Sequence, residues 1–202
     1  LSDPLLSTRA FLRAYYGDTL GDIAEEAQKR MCDAFGQVPF EISVAYNAPM
    51  NYGPAAPFYP QKTGYTATMV GFPYDDLGSW RGIYPADVFE AQFALVVRGF
   101  AESVALLAPY ARASERFAEL CRISEACLCH FESTLHHIQY VRRRGTDGAR
   151  AVLDAERATV LRLIALRQED GRIGYESSNH YFYTMNDLKE KLRNLDWCAQ
   201  NS

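Results

Sequence analysis

Apolar residues recur at helical spacing along most of this chain, and one long stretch around residue 60 breaks the rhythm. Leu20, Ala24, Ala27, Met31 and Ala34 step by four and three, which places them on one face of a helix. A shorter helix precedes it, from Ser7, a side chain suited to capping, to Tyr16, with Gly17 as its stop. Gly36 and Pro39 close the second helix. Pro85 suits the first position of the next, and Phe89, Phe93, Val96, Phe100 and Leu107 mark its stripe as far as Ala108, where Pro109 breaks it. The clearest pattern follows, from about Ser114 to Arg143. There Phe117, Cys121, Ser124, Leu128, Phe131, Leu135 and Ile138 alternate steps of four and three, as a helix–helix seam requires. Gly145 ends that helix, and another spans Asp147 to Glu169. Thr184 with Asp187 three residues later forms an approximate capping box for a last helix, whose apolar face is Leu188, Leu192 and Leu195.

The interruption runs from Gln37 to Tyr84. It holds Pro39, Pro49, Pro54, Pro57, Pro60 and Pro73, with glycines between them, and nine rings from Tyr46 to Tyr84. Irregular segments of this length are usually functional or disordered. Disordered segments are poor in aromatics, so the pattern predicts an ordered, packed segment, with short strands near Glu41–Tyr46 and Tyr65–Val70. The architecture expected is mainly α: a single domain over residues 1–202, an antiparallel helical bundle carrying a long irregular aromatic-rich segment. Its parts are a helical pair (1–36), the irregular segment (37–84), three long helices (85–170, counting the short connections) and a loop with a short final helix (171–202).

Composition narrows the partners. The net charge of −4 comes without any basic stripe, which argues against nucleic acid. The densest basic run, Arg142-Arg143-Arg144, falls at a helix end, where it complements the helix dipole. No apolar run approaches the roughly 18–20 residues of a membrane span, so no membrane is expected as a partner. The chain starts with Leu1 and enters helix-forming sequence at once, as a piece of a longer protein would. Five cysteines, an odd number without framework spacing, argue against a disulfide scaffold and favour a reducing compartment such as the cytoplasm. Cys127-Leu-Cys129-His130 invites a metal reading. Two ligands separated by one residue on a helix point to different faces, however, and no second pair has zinc-site spacing, so neither metal nor cofactor is expected.

Two segments concentrate the chemistry. One is Gly71-Phe-Pro-Tyr-Asp-Asp-Leu-Gly-Ser-Trp-Arg-Gly-Ile-Tyr-Pro85, and the other is Gly174-Tyr-Glu-Ser-Ser-Asn-His-Tyr-Phe-Tyr183. Both mix flat rings with carboxylates, and between them they add an amide, an imidazole and a guanidinium, the blend that recognises sugars. The candidate contacts are Tyr74, Asp75, Asp76, Trp80, Arg81, Glu176, Asn179, His180 and Tyr181. Against this stands simple packing of the rings, with Asp75 holding a turn and Asp76 capping a short helix. A pair of catalytic carboxyls could come from Asp75 or Asp76 with Glu176 only if the two segments meet. Glu132, His136 and Tyr140 recur every four residues, which favours a polar inter-helix face over a metal or proton-transfer site at His136-His137. Serine-hydrolase and phosphate-binding glycine motifs are absent.

The runs Asn51-Tyr-Gly-Pro-Ala-Ala-Pro-Phe-Tyr-Pro60, Thr68-Met-Val-Gly-Phe-Pro-Tyr-Asp-Asp76, Trp80-Arg-Gly-Ile-Tyr-Pro85 and Arg172-Ile-Gly-Tyr-Glu-Ser-Ser-Asn-His-Tyr-Phe-Tyr183 resemble the region after the catalytic barrel in large bacterial glycoside-hydrolase-like proteins of the α-glucuronidase or hexosaminidase type. The resemblance extends from about Phe11 to Cys198. It implies a helical C-terminal domain packed on a (β/α)₈ barrel, with the aromatic loops helping to wall a carbohydrate cleft and the catalytic acids lying upstream. The alternating strand–helix units of a barrel are missing from this sequence. A non-enzymatic module for protein partners or self-association is the other expectation.

Overall fold

The structure is a computed structural model that describes residues 7–68, 73–174 and 183–201, with the side chains of Tyr46 and Asn47 left aside. The fold is mainly α, with helices packed against one another: α1 Thr8–Tyr16, α2 Asp18–Phe35, α3 Ile42–Asn47, α4 Ala86–Leu107, α5 Glu115–Arg143, α6 Gly148–Glu169 and α7 Met185–Asn201. Short 3₁₀ turns cover Pro49–Asn51, Gly53–Ala55, Leu77–Ser79 and Ala108–Tyr110.

The local signals act as read. Ser7 accepts the Ala10 amide at 3.1 Å, and Gly17 (φ 90°) stops α1. The Thr184 hydroxyl accepts the Asp187 amide at 3.3 Å while Asp187 accepts the Thr184 amide at 2.5 Å, a reciprocal capping box that starts α7. Glu41–Tyr46 does not form the expected strand. The Glu41 carboxylate accepts the Ser43 amide at 2.7 Å and caps α3, so a local side-chain bond outweighs strand propensity. At Tyr65–Val70, Thr68 makes a single bridge; residues 69 and 70 lie outside the description.

The chain divides into two compact units, the first made of Leu1–Val38 with Leu95–Leu128 and the second of Pro39–Ala94 with Cys129–Ser202. In the first unit, Leu12, Ala24, Ala27, Leu107 and Phe117 are buried together, with Tyr16, Leu20, Ile23 and Met31 packed on them. In the second, Phe58 from the irregular segment joins Tyr140, Ala149, Val152, Leu153, Leu195 and Cys198. The aromatic stripe of α4 is buried as its spacing predicts, at Phe89, Phe93, Val96, Phe100 and Leu107. One expectation needs correction: residues 86–110 are long and apolar enough to cross a membrane by length and composition. Their apolarity owes much to alanine, and Asp87, Arg98 and Glu102 break it along an exposed stripe with Ala91, Ala94 and Ala105.

Candidate functional site

The irregular segment of the second unit is fastened to the helices by its backbone. Asn194 on α7 accepts the Phe58 amide at 2.8 Å and donates to the Phe58 carbonyl at 2.9 Å. The Cys198 thiol also reaches that carbonyl, at 3.4 Å. Lys191, wholly buried, donates to the Ala56 carbonyl and lies 3.7 Å from the centroid of the Phe58 ring, a cation–π contact. On α5, His130 Nε2 lies 2.5 Å from the Met50 carbonyl, and its ring presses on Gly53 so closely that a Cβ there would sit 2.4 Å from Nδ1. Burial pushes the His130 pKa down against the opposing hydrogen bond to Met50.

This fastening decides where the candidate sugar contacts lie. Tyr74 and Trp80 are wholly enclosed, and Asp75 is buried beside them. The Trp80 indole donates to the Tyr74 carbonyl at 3.3 Å and meets Phe89 edge-on at 5.7 Å between centroids. The Asp75 carboxylate accepts the Thr63 amide and the Thr63 hydroxyl, so it holds a turn. Asp76 is exposed and caps the Leu77–Ser79 turn through the Gly78 amide at 3.1 Å. Half-buried Arg81 donates to the Tyr84 carbonyl. The remaining candidates, Glu176, Asn179, His180 and Tyr181, lie outside the described residues.

Behind these rings sits a polar cluster that sequence reading only touched at His136 and His137. The Glu156 carboxylate, fully buried on α6, receives the Ser133 hydroxyl at 2.6 Å, His136 Nδ1 at 2.9 Å and the Lys191 ammonium at 3.2 Å. Burial favours the protonated acid, but Lys191, His136 and Ser133 outweigh it and hold the Glu156 pKa below the ordinary carboxylate range, at about 2. Lys191 is displaced downward by burial, with Glu156 opposing the shift. Ser133 donates to a carboxylate and not to an imidazole, so it is not activated as a nucleophile. His137, the neighbour of His136, is buried among Phe58, Tyr74 and Trp80, whose rings meet it edge-on at 4.7, 6.0 and 6.2 Å. Burial and the Lys191 charge depress its pKa to about 3. The cluster therefore orders the interior around one internal ion pair. A signal for it exists in the sequence: Glu156 falls between Leu153 and Val160, and Lys191 between Leu188 and Leu195, so opposite charges interrupt two apolar stripes.

Two further polar features lie on the same helices. The Arg162 guanidinium donates to Cys129 Sγ twice at 3.4 Å and pairs with Glu132, which also accepts Thr159 at 3.0 Å. Arg142 and Arg143 both bind Glu90 on α4, and Arg144 donates to the Tyr59 carbonyl at 3.5 Å, so the basic run is spent on contacts within the protein at the end of α5. The second aromatic segment is closed at its base: the Tyr183 amide donates to the Gly174 carbonyl at 2.9 Å, and Arg167 Nη1 donates to the carbonyls of Ile173 and Tyr183. The Tyr183 ring lies 6.3 Å from that of His130. His130 thus touches the turns at residues 50–53 and the end of the 174–183 connection at once.

What the second unit offers outward differs from its interior. Residues 40–42 lie alongside 82–84: the Tyr84 hydroxyl donates to the Phe40 carbonyl at 3.0 Å, and the Glu41 side chain lies against Gly82. The result is an apolar rim, with Phe40 86%, Ile42 66% and Ile83 84% exposed. Among the described residues, no group of three His, Cys, Asp or Glu side chains converges as metal ligands would. Comparison with protein-family models, curated proteins and solved structures finds no match.

Proposed function

We propose that this chain is a non-catalytic helical accessory domain of a glycoside-hydrolase-like protein, docking on the upstream barrel and helping to wall a carbohydrate cleft. The observation that carries this reading is the contrast within residues 39–84. Phe58, Tyr74, Trp80 and Asp75 are built into the interior, while Phe40, Ile42 and Ile83 are exposed on adjoining stretches of backbone. Large apolar side chains exposed side by side mark an interaction surface more often than a catalytic one. Asp76 and Arg81 remain at the surface as carbohydrate contacts, with Glu176, Asn179, His180 and Tyr181 proposed on the 174–183 connection. The resemblance supplies the class of partner, and the unit supplies a rim that suits docking.

The same rim also supports a second reading, self-association between copies of the chain. One experiment separates the two. Phe40→Asp with Ile83→Asp should leave helicity unchanged. Under the docking reading, sedimentation of the isolated chain shows a monomer before and after the change, and the variant loosens the domain from the barrel in the full-length protein. A wild-type dimer that the variant dissociates favours self-association, and a full-length protein whose domain contact is indifferent to the variant sinks the docking reading.

A further inference from the structure

We propose that Phe11 and Tyr15 on α1, with Arg116 on α5, form a contact surface of the first unit for an oligosaccharide that carries a carboxylate. This rests on the carbohydrate part of the accessory-domain reading, and it supplies the exposed rings that Tyr74 and Trp80, being enclosed, do not. Phe11 and Tyr15 stand one helical turn apart, 63% and 41% exposed. Their rings are nearly parallel, 11° between planes and 5.9 Å between centroids. They are held from beneath: Tyr16 meets Tyr15 edge-on at 4.8 Å and buried Phe117 edge-on at 5.5 Å. The Arg116 guanidinium lies over the Tyr15 ring, 4.8 Å from its centroid. Charge decides the sign of the ligand. On α1, Arg9 and Arg13 are neutralised by Asp22, and on α5 Arg122 pairs with Glu115 at 2.7 Å. Arg116 is exposed and has no carboxylate partner among the described residues. It also sits in the first turn of α5, where a cation opposes the helix dipole, so its own helix gives it no electrostatic role. The surroundings decide the class. The other exposed residues of α1 are Thr8, Arg9 and Ala14, so the two rings stand in a polar setting without the aliphatic side chains that Ile42 and Ile83 add to the rim of the second unit. Rings in such a setting cover the C–H faces of a sugar, while a guanidinium forks onto its carboxylate.

The test is calorimetric titration of residues 1–202 with a glucuronic-acid-substituted xylo-oligosaccharide and with its unsubstituted counterpart. The substituted probe should bind about tenfold more tightly, the order expected of one charge-assisted contact. Arg116→Gln should abolish that preference and leave the unsubstituted probe within twofold of wild type. Phe11→Ala should weaken both probes by about fivefold. Both side chains are exposed, so circular dichroism and the unfolding midpoint should stay at their wild-type values in each variant. A preference that survives Arg116→Gln, or affinities within twofold of wild type in Phe11→Ala, overturns this surface while the accessory-domain reading stands. A wild-type chain that binds neither probe overturns both. Sedimentation of the same samples adds one more outcome: a wild-type dimer that Phe11→Ala dissociates makes the rings an interface between copies and overturns the sugar surface.

Discussion

Asn194 and Phe58, 136 residues apart in sequence, are joined by both faces of one amide: the side-chain oxygen accepts the Phe58 amide at 2.8 Å and the nitrogen donates to its carbonyl at 2.9 Å. The pair does for an irregular backbone what a neighbouring strand would do, satisfying a donor and an acceptor at a buried residue. It explains how a proline-rich stretch with little regular structure can place Phe58, Tyr74 and Trp80 in the interior.

Asn194→Ala should therefore destabilise the protein by about 3 kcal/mol, from two enclosed backbone groups at roughly 1–3 kcal/mol each. Asn194→Asp keeps the acceptor for the Phe58 amide but loses the donor, so it should be destabilised less than the alanine variant. Urea midpoints of the two variants decide this, and equal midpoints would show that the bond from the Phe58 amide carries nothing.

The Glu156–Lys191 pair makes a second prediction. Lys191→Met leaves a buried carboxylate without its main counter-charge and should cost roughly 3–5 kcal/mol. Replacing both, Glu156→Leu with Lys191→Met, should cost clearly less than the sum of the single changes. Strict additivity in denaturant unfolding would mean that the two groups do not interact.

Acid should loosen this interior from the histidine side first. His137 is held at about 3 in the folded protein against an ordinary value near 6.5, so the unfolded chain binds a proton that the folded one refuses. The stability tied to His137 is fully present above about pH 6.5 and is lost as pH falls toward 3. At pH 5 the loss should be about 2 kcal/mol, at about 1.4 kcal/mol for each unit below 6.5. Glu156, held at about 2, adds its own loss only below about pH 4.5. Unfolding midpoints at pH 7 and pH 5 for wild type and His137→Gln test this, with the drop expected to shrink in the variant. A drop of the same size in both would place the acid sensitivity elsewhere.

Much of the fold was legible in the sequence because its signals are local. The four-and-three steps of Phe117 through Ile138, the Ser7 cap and the Thr184–Asp187 box each depend on residues within a few positions of one another. The burial of Tyr74 and Trp80 was not legible, since it depends on His137 and Phe58, which are remote in sequence, and a ring that packs inward reads like one that meets a sugar. The α3 helix was missed for a smaller reason: Glu41 caps it, although Ile42, Val44 and Tyr46 alternate like a strand. Sequence likewise hid the approach of the 50–53 turns and Tyr183 to His130, because it is made by one imidazole on a third element.

Binding of carbohydrate without cleavage is the property that most directly tests the proposed function. Calorimetric titration of residues 1–202 with the glucuronic-acid-substituted xylo-oligosaccharide and with chitotetraose, followed by assay of new reducing ends in the same samples, measures both. Heat of binding for one of the probes, with no release of reducing ends, is the expected result. Reducing ends released by the chain alone, or no binding of either probe, would contradict it.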